Sequence, residues 1–214
     1  MKNLGDLRKS YTSGALTEAD LTPDPMDMFA RWWQDCLDAE IEEPNAMTLA
    51  TSNAEGQPSA RTVLLKGTTP EGFEFFTNYG SRKAQDMAEN PKVSLLFFWQ
   101  KLERQVRIEG LVEKINAERS AEYFQSRPTG SQLGAWASPQ STVIADRSVL
   151  EEKIKAIQNE FKGQNPLPAP PHWGGYLIRP VSFEFWHGRD DRLHDRFRYR
   201  KNADGFWIVE RLAP

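Results

Sequence analysis

With 214 residues, 39% of them hydrophobic and 11% aromatic, the chain is long enough to bury a core and is most simply interpreted as one domain. Its formal net charge of −3 argues against a general nucleic-acid binder, because releasing counterions from phosphates requires a broad basic surface. The single cysteine, Cys36, excludes an internal disulfide, and residues 1–6 lack the apolar stretch of a secretory signal, so we expect a cytoplasmic protein.

The first elements in chain order are an N-terminal arm and a helix. Residues 1–23 are polar without a sustained period, which predicts a mobile arm ahead of a single domain over residues 24–214. Asp24 and Pro25 then supply an N-cap and a proline at the first helical position. Apolar residues recur at helical intervals after them, so we expect an amphipathic helix that ends before Pro44.

From Ala46 onwards the hydrophobic period changes from that of a helix to that of strands. Segments rich in β-branched and aromatic residues predict strands at 47–51, 60–66, 73–77, 93–99, 105–115, 176–186, 192–201 and 206–211. Helical patterns occur at 81–89, 117–125 and 146–161, followed by a proline-rich linker at 166–171. The turn at 202–205 predicts a hairpin. We therefore predict an α+β fold that is mainly antiparallel β, a barrel with peripheral helices and without a membrane span.

The last long strand pattern carries a row of basic residues. If residues 192–201 form a regular strand, alternation places four side chains on one face: Arg192, His194, Arg196 and Arg198. Such a row is most often a solvated face beside a buried one. Histidine among arginines also suits an anionic or electron-rich ligand, and the pattern leaves both interpretations open.

A second basic cluster is predicted at the start of a helix. Ser81, Arg82 and Lys83 follow a turn, at a position where free backbone N–H groups and the helix dipole attract phosphate. An ordinary serine N-cap followed by exposed basic residues would have the same sequence. The cluster is therefore a candidate phosphate site.

A third group offers two hydroxyls and a guanidinium. Tyr123, Arg127 and Ser131 have the spacing of one helix face, but Pro128 interrupts that helix. The three converge only if a new helix begins at Pro128, with Ser131 in its first turn. A plain surface patch is the alternative.

A fourth group is an apolar strand bracketed by two cations, Arg61 and Lys66. Their opposite parity places them on opposite faces of a regular strand. Either they contact different ligand groups or the strand end twists. A buried strand whose charged ends reach solvent is an equal alternative.

Several common sites have no support in the sequence. The three histidines, His172, His187 and His194, lack ligand-like spacing, so we expect no metal site. No glycine-rich loop of the Rossmann or P-loop type follows a predicted strand, and there is no G-x-S-x-G elbow. Three tryptophans are expected to be core or dimer contacts: Trp136, Trp173 and Trp186.

Short motifs occur in a fixed order along nearly the whole chain: Arg61-Thr62-Val63-Leu64-Leu65-Lys66, Phe76-Thr77-Asn78, Gly80-Ser81-Arg82-Lys83, Leu102-Glu103-Arg104-Gln105-Val106 and Arg192-Leu193-His194-Asp195-Arg196-Phe197. The others are Ser126-Arg127-Pro128, Ser131-Gln132, Gly134-Ala135-Trp136, Gln140-Ser141, Trp173-Gly174-Gly175 and Arg211-Leu212-Ala213-Pro214. Together they resemble the pyridoxamine 5′-phosphate oxidase family, because chance agreement of so many separated motifs is implausible.

The resemblance implies an FMN-binding split β-barrel that forms a homodimer, with two FMN sites at the subunit interface, each lined by residues of both chains. It implies that FMN is held by Arg61, Thr62, Val63, Leu64, Leu65, Lys66, Phe76, Thr77, Arg82, Lys83, Gln105, Gln140, Ser141, Trp186 and Arg196. It implies that the substrate phosphate is held by Lys66, Tyr123, Arg127 and Ser131. Closure of the arm over the substrate would involve Arg8, Lys9, Ser10 and Tyr11.

The same resemblance implies a reaction: FMN-dependent oxidation of pyridoxamine 5′-phosphate and pyridoxine 5′-phosphate to pyridoxal 5′-phosphate, with O2 reduced to hydrogen peroxide. Arg192 and His194 would face the pyridine ring as the catalytic pair, chiefly by positioning and polarising it. Two features depart from the family pattern. Phe76 stands where a tyrosine is common, and Lys9-Ser10 is less basic than the arm of other members.

Three other functions remain open at this point. One is a non-catalytic FMN- or pyridoxal-phosphate-binding module with the same barrel. Another is a split-barrel flavoprotein with a different substrate or a deazaflavin, which should lack the substrate-side set that is present here. The third is a nucleic-acid-binding barrel, which would need basic and aromatic residues mixed across one broad face. We expect neither a nucleic-acid nor a membrane partner.

Overall fold

The structure, a computed structural model, describes Asn3 and residues 10–214. The predicted arm, residues 1–23, therefore lies partly outside the described residues, as do the expected substrate contacts Arg8 and Lys9. The described part of the arm contains a short 3-10 helix, Glu18–Asp20, and a buried side chain, that of Leu16.

The described residues form five α-helices: α1 (Pro25–Asp38), α2 (Arg82–Glu89), α3 (Ala117–Ser126), α4 (Thr129–Ala137) and α5 (Ser148–Glu160). The start of α1 is as predicted, because the Asp24 carboxylate accepts a hydrogen bond from the Met26 N–H (2.8 Å) and Pro25 occupies the first turn. One face of α1 buries Met28, Phe29, Trp32 and Cys36. No helix in this part of the chain is both long enough and apolar enough to cross a membrane.

The same part of the chain contains nine strands: β1 (Ala46–Ser52), β2 (Pro58–Leu64), β3 (Gly67–Thr69), β4 (Gly72–Asn78), β5 (Lys92–Trp99), β6 (Arg104–Lys114), β7 (Trp173–His187), β8 (Asp195–Lys201) and β9 (Trp207–Arg211). They form one sheet in the order β2-β1-β5-β6-β7-β4-β3, with β8 paired to β7 and β9 paired to β8. β4 is antiparallel to β3 and β7, and β8 is antiparallel to β7 and β9. Burial alternates along β1, β5 and β6, so each has an apolar face.

The chain forms two compact units. Unit 1 contains the described residues up to Leu49 together with Ser94–Gly110 and Pro180–Pro214, and unit 2 contains Ala50–Val93 and Leu111–Arg179.

Each unit has its own apolar core. In unit 1, Trp32 of α1 packs edge-on against Phe185 of β7, with ring centroids 5.2 Å apart. In unit 2, a buried cluster of Phe124, Leu167 and Trp173 joins α3 to β7 and to the proline-rich linker. The unit 2 cluster also packs against Phe76 of β4 and Tyr123 of α3, which line the candidate site.

The period-based predictions are confirmed for most elements, with three differences. The sequence does not predict the three-residue strand β3. It offers α4 only as one possibility, a new helix that begins at Pro128. The strand expected over 192–201 begins at Asp195, so the placement of Arg192 and His194 on its face is wrong. Asp191 and Arg192 have φ values of 54° and 61°, which an extended strand cannot contain. The predicted β8–β9 hairpin is confirmed, with Gly205 at a φ of 84°.

Candidate functional site

Unit 2 contains a cleft of about 330 Å³. Among the described residues that line it, four are cations and none is acidic. A concave site with this charge favours an anionic ligand. The cations are Arg61, Lys66, Lys83 and Arg127, and the other lining residues are Thr62, Val63, Leu64, Phe76, Thr77, Tyr123, Gln140 and Trp173.

Lys83 lies in the first turn of α2, where the end of the helix also attracts anions. Its Nζ donates to three neutral oxygens: Thr77 Oγ1 (3.1 Å), Ser81 Oγ (3.2 Å) and Gln140 Oε1 (2.6 Å). Burial, and secondarily the charge of Arg61, lowers the pKa of Lys83 to about 8. A phosphate in the cleft would supply the countercharge that these oxygens do not.

Arg61 on β2 reaches the same cleft and is supported by polar groups. Its Nη1 donates to Thr51 Oγ1 and its Nη2 to Ser59 Oγ, each at 2.7 Å. Thr51 Oγ1 donates in turn to Oδ2 of the buried Asp86 at 2.6 Å, and the same Oδ2 lies 3.7 Å from Arg61 Nη2. Burial lowers the pKa of Arg61, while Asp86 opposes that shift. The guanidinium stays charged because its ordinary pKa is far above neutrality.

Arg127 follows α3 directly, because Pro128 cannot continue that helix. The buried Gln132 holds this turn by donating from Nε2 to the carbonyls of Gln125 (3.2 Å) and Arg127 (2.8 Å). The guanidinium of Arg127 lies over the Trp173 ring at 4.8 Å, and its buried Nη1 has no hydrogen-bond partner within the described part of the chain. Since an unpaired buried donor is costly, this atom fits an anion bound in the cleft.

Three aromatic rings form one wall of the cleft. Phe76 stacks on Tyr123 with centroids 4.0 Å apart and on Trp173 at 5.5 Å. A Cβ atom on Gly175 would lie 2.7 Å from the Phe76 ring and 2.2 Å from Ile115, so glycine is required for β7 to approach this closely. The wall is flat and apolar beside a cationic floor, which suits a phosphorylated ring.

Arg61 and Lys66 both line the cleft, although a regular strand would place them on opposite faces. β2 ends at Leu64, so the alternation of faces does not extend to Lys66. The Lys66 N–H instead donates to the Glu74 carbonyl at 2.9 Å. Departure from the strand at this point brings both cations to one cleft.

Four predicted residues of unit 2 do not line the cleft. Leu65 is buried in the core. Arg82 and Ser141 are exposed, and Ser141 has a φ of 72°. A new helix, α4, does follow Pro128 and has Ser131 in its first turn, as convergence with Arg127 required. The Ser131 side chain is nevertheless exposed and does not line the cleft. Tyr123 and Arg127 are brought together as expected.

Unit 1 holds the other predicted site residues, including an aromatic cluster. The rings of Trp186 and His194 are 4.6 Å apart, and each lies 5.7 Å from the ring of Tyr11. A Cβ atom on Gly188 would lie 2.6 Å from Tyr11, so the backbone there is in close contact with the arm. The remaining expected contacts, Ser10 and Gln105, are exposed and half-buried respectively.

The surroundings of His194 favour its neutral form. Burial lowers its pKa, and the nearby charges of Arg192 and Arg196 lower it further. Its Nδ1 accepts a hydrogen bond from the Arg189 N–H at 3.1 Å, which leaves the ring proton on Nε2. The imidazole can therefore act as a donor through Nε2.

Arg192 and Arg196 have different surroundings. Arg192 is exposed in the turn before β8. Arg196 on β8 is fixed, because its Nε and Nη2 each donate to Oε1 of the buried Glu184 at 2.8 Å and its Nη1 donates to the Ala213 carbonyl at 2.9 Å. A positioned arginine of this kind can stabilise negative charge on a bound ring.

Four residues that line or support the cleft were not predicted from the sequence. Trp173 was assigned to the core or a dimer contact, yet it lines the cleft. Ser59 shares the parity of Arg61 on β2, and that spacing could have identified it. Thr51 and Asp86 lie on β1 and α2, and nothing in the local pattern connects them to Arg61.

Two family models match the chain. The model described as pyridoxamine 5′-phosphate oxidase matches residues 34–161, and the one described as the C-terminal dimerisation region of pyridoxine 5′-phosphate oxidase matches residues 173–214. Full-length relatives carry the name pyridoxine/pyridoxamine 5′-phosphate oxidase. That of Cupriavidus metallidurans is 55% identical over 214 residues and that of Salinibacter ruber 53% over 215, each covering 100% of both chains. That of Bordetella pertussis is 55% identical over 212 residues, covering 99% of this chain and 100% of the relative.

Two solved structures are similar in fold. PhzG from Burkholderia lata 383, in complex with tetrahydrophenazine-1-carboxylic acid, has a TM-score of 0.86 at 28% identity and covers 94% of this chain and 98% of its own. A pyridoxamine 5′-phosphate oxidase-related, FMN binding protein from Nostoc punctiforme has a TM-score of 0.72 at 17% identity. The match covers 89% of this chain and 98% of that protein. The predicted mainly antiparallel split-barrel fold with peripheral helices is confirmed by these neighbours.

Proposed function

This chain belongs to the pyridoxamine 5′-phosphate oxidase family, and we propose that it oxidises pyridoxamine 5′-phosphate and pyridoxine 5′-phosphate to pyridoxal 5′-phosphate. Its match to relatives of that name over the full length supports this activity. The structural observation that carries the proposal is the cleft of unit 2, whose described lining has four cations and no acid. An acidic protein that gathers four cations in one cleft is suited to a phosphorylated ligand.

FMN is the cofactor that we propose, and the donors of the cleft fit its phosphate. Among the residues that the structure describes, the Lys83 Nζ donates to three neutral oxygens, and Arg61 presents a second cation in the same cleft. Bound FMN would supply the two-electron redox chemistry, with O2 as the final acceptor and hydrogen peroxide as its product. The other proposed contacts to FMN are Thr62, Val63, Leu64, Leu65, Lys66, Phe76, Thr77, Arg82, Gln105, Gln140, Ser141, Trp186 and Arg196.

Arg127, Lys66 and Tyr123 are the groups that we assign to the phosphate of the substrate, with Ser131 nearby in α4. The unpartnered Nη1 of Arg127 supports this role, because a buried guanidinium donor fits a phosphate oxygen. Anchoring one phosphate on the cofactor and one on the substrate would hold two aromatic rings in register.

Arg192 and His194 are proposed to position the pyridine ring, with Ser10 and Tyr11 of the arm beside them. Neutral His194 donates from Nε2, and Arg192 provides a cation. In the overall reaction the amine loses two electrons and two protons to form an imine, which water converts to the aldehyde and ammonia. The alcohol gives the aldehyde directly, and O2 takes up the two electrons and two protons in either case.

We propose that two chains form the functional molecule and that each FMN site is completed by residues of both. The match of residues 173–214 to a dimerisation region supports the dimer. Such a closed, two-fold assembly is the commonest form of homo-oligomer.

The proposed function is tested by Arg127→Leu with pyridoxamine 5′-phosphate and with unphosphorylated pyridoxamine. We expect KM for the phosphate ester to rise by about ten- to a hundredfold with a smaller change in kcat, because a charge-assisted contact is lost. Turnover of unphosphorylated pyridoxamine should be poor and unaffected by the substitution.

Arg119→Leu is the matched control, since Arg119 lies on α3, is exposed and pairs with Glu74 at 3.2 Å. Its KM should equal that of the wild type. Absence of pyridoxal 5′-phosphate and peroxide formation by the FMN-loaded wild type would overturn the proposal and favour a non-catalytic binding module.

A further inference from the structure

Arg61 is a cation of the cleft that is supported by two buried side chains, Thr51 and Asp86. Its guanidinium is held by two short hydrogen bonds, to Thr51 Oγ1 and to Ser59 Oγ, both at 2.7 Å. Thr51 and Asp86 are 3% and 6% exposed and neither lines the cleft, so they cannot contact a ligand there themselves. Both instead contact the guanidinium of Arg61, Thr51 by a hydrogen bond and Asp86 as an ion pair at 3.7 Å.

The direction of the hydrogen bonds in this group follows from its chemistry. An ionised carboxylate only accepts hydrogen bonds, so the Thr51 hydroxyl proton must point to Asp86 Oδ2, 2.6 Å away. The lone pairs of Thr51 Oγ1 then face Arg61 Nη1, which only donates. Asp86 thus fixes the rotation of the threonine hydroxyl, and the hydroxyl fixes the guanidinium.

The elements that carry the group are separate in sequence but rigid in structure. Thr51 is near the end of β1, Arg61 is on β2 beside it, and Asp86 is inside α2. Placing the two supports on a strand and a helix, rather than on loops, limits the positions that the arginine can adopt. A preorganised cation binds an anion more tightly than a mobile one, because less conformational entropy is lost on binding.

We propose that Thr51 and Asp86 are positioning residues that hold Arg61 in the orientation that binds the FMN phosphate. This inference rests on the proposed function, in which Arg61 contacts that phosphate. Arg61 would be oriented before the cofactor arrives, and loss of the Thr51 hydroxyl would weaken phosphate binding without changing the charge of the cleft.

The test compares FMN with riboflavin, which lacks the phosphate, by titrating apoprotein and following flavin fluorescence. Thr51→Val keeps the shape of the side chain and removes only the hydroxyl. We expect the Kd for FMN to rise about tenfold and the Kd for riboflavin to stay the same. A purely structural role for Thr51 would weaken both ligands alike, and that result would overturn the proposal.

Dependence on Arg61 is tested by a double-mutant cycle. In an Arg61→Met background, Thr51→Val should change the Kd for FMN by less than about twofold, because the group it positions is absent. Full additivity of the two substitutions would contradict the proposal. Asp86→Ala should also weaken FMN binding, whereas Thr51→Ser, which keeps a hydroxyl, should bind FMN like the wild type.

Glu89→Gln is the control on the same helix, since Glu89 is exposed and accepts a hydrogen bond from the Ala54 N–H (3.1 Å) away from Arg61. Its affinities for both flavins should match those of the wild type. Failure of wild-type apoprotein to bind FMN would overturn the proposed function itself. Wild-type binding that is unchanged in Thr51→Val would overturn only this inference.

Discussion

Lys83 is the residue whose charge depends most directly on its surroundings. Burial beside Arg61 lowers its pKa to about 8. A phosphate bound next to it would raise that pKa again, because an anion favours the protonated form. If Lys83 contacts the FMN phosphate as proposed, its protonation and the binding of FMN are linked, and binding weakens as the pH rises above 8.

We predict that the Kd of the apoprotein for FMN is nearly constant between about pH 7 and pH 8 and rises above pH 8, by up to about tenfold per pH unit, until the pKa of the complex is reached. The phosphate itself does not cause this rise, since its second ionisation has a pKa of about 6 and is nearly complete before pH 8. Titration by flavin fluorescence over this range measures the effect. Lys83→Arg, which stays charged, should remove the rise, and an equal rise in that variant would refute the assignment to Lys83.

Arg192 is exposed at a positive φ, and strain of this kind in a non-glycine residue often accompanies a functional position. We predict that Arg192→Leu lowers kcat by about a hundredfold or more while FMN stays bound, because the substrate ring loses its positioning group. Steady-state rates and the FMN content of the purified variant provide the two measurements.

Arg200→Leu is a suitable comparison for Arg192→Leu, since Arg200 on β8 is exposed and pairs with Glu210 at 2.7 Å. Its kcat should be unchanged. Unaltered turnover in Arg192→Leu would remove Arg192 from the active site.

Residue types and local spacing identify the cations of the cleft but not the residues that support them. Lys83 follows a turn at a helix start, and Arg61 brackets a strand, so both could be selected from the sequence. Thr51 and Asp86 were not found because their relation to Arg61 arises from the packing of β1, β2 and α2. Arg192 and His194 were selected for their chemistry, but the strand geometry assigned to them was wrong because Arg192 has a positive φ and the strand begins only at Asp195.

At the scale of elements, hydrophobic period and capping chemistry predict most of the fold. α1 begins after Asp24 because a side-chain cap and a proline act at the same place. Two elements are hard to predict from the sequence. β3 is too short to show a hydrophobic period, and Gly130 and Gly134 weaken the helical pattern of α4.

The Asp24 cap should contribute measurably to the stability of the protein. Asp24→Ala should lower the free energy of unfolding by about 1 kcal/mol, because the Met26 N–H loses its acceptor. Asp24→Asn keeps an oxygen at that position and should lie within a few tenths of the wild type. Urea unfolding of both variants measures the difference, and equal stability of Asp24→Ala and the wild type would show that the cap contributes nothing.

At the scale of the whole molecule, the cleft is built from residues more than 100 positions apart, such as Arg61 and Trp173. Pairing of β4 with β7 brings Phe76 next to Trp173, and local patterns carry no information on which strands pair. The family resemblance supplied what the pattern could not, namely that these residues act together.

The shared-site dimer predicts complementation between inactive chains. If Arg127 and Arg192 of one active site come from different chains, mixing Arg127→Leu and Arg192→Leu protomers should restore about one quarter of the sites, because half of the dimers are mixed and each has one intact site. Activity of refolded mixtures, compared with each variant alone, measures this. No recovery would show that each site takes both residues from the same chain.

The most direct test of the account is the visible spectrum of the purified, FMN-loaded protein during anaerobic addition of pyridoxamine 5′-phosphate. We predict that the yellow flavin absorbance bleaches, and that admitting O2 restores it with formation of pyridoxal 5′-phosphate and hydrogen peroxide. A spectrum that does not change on adding the substrate, or a protein that cannot take up FMN, would contradict it.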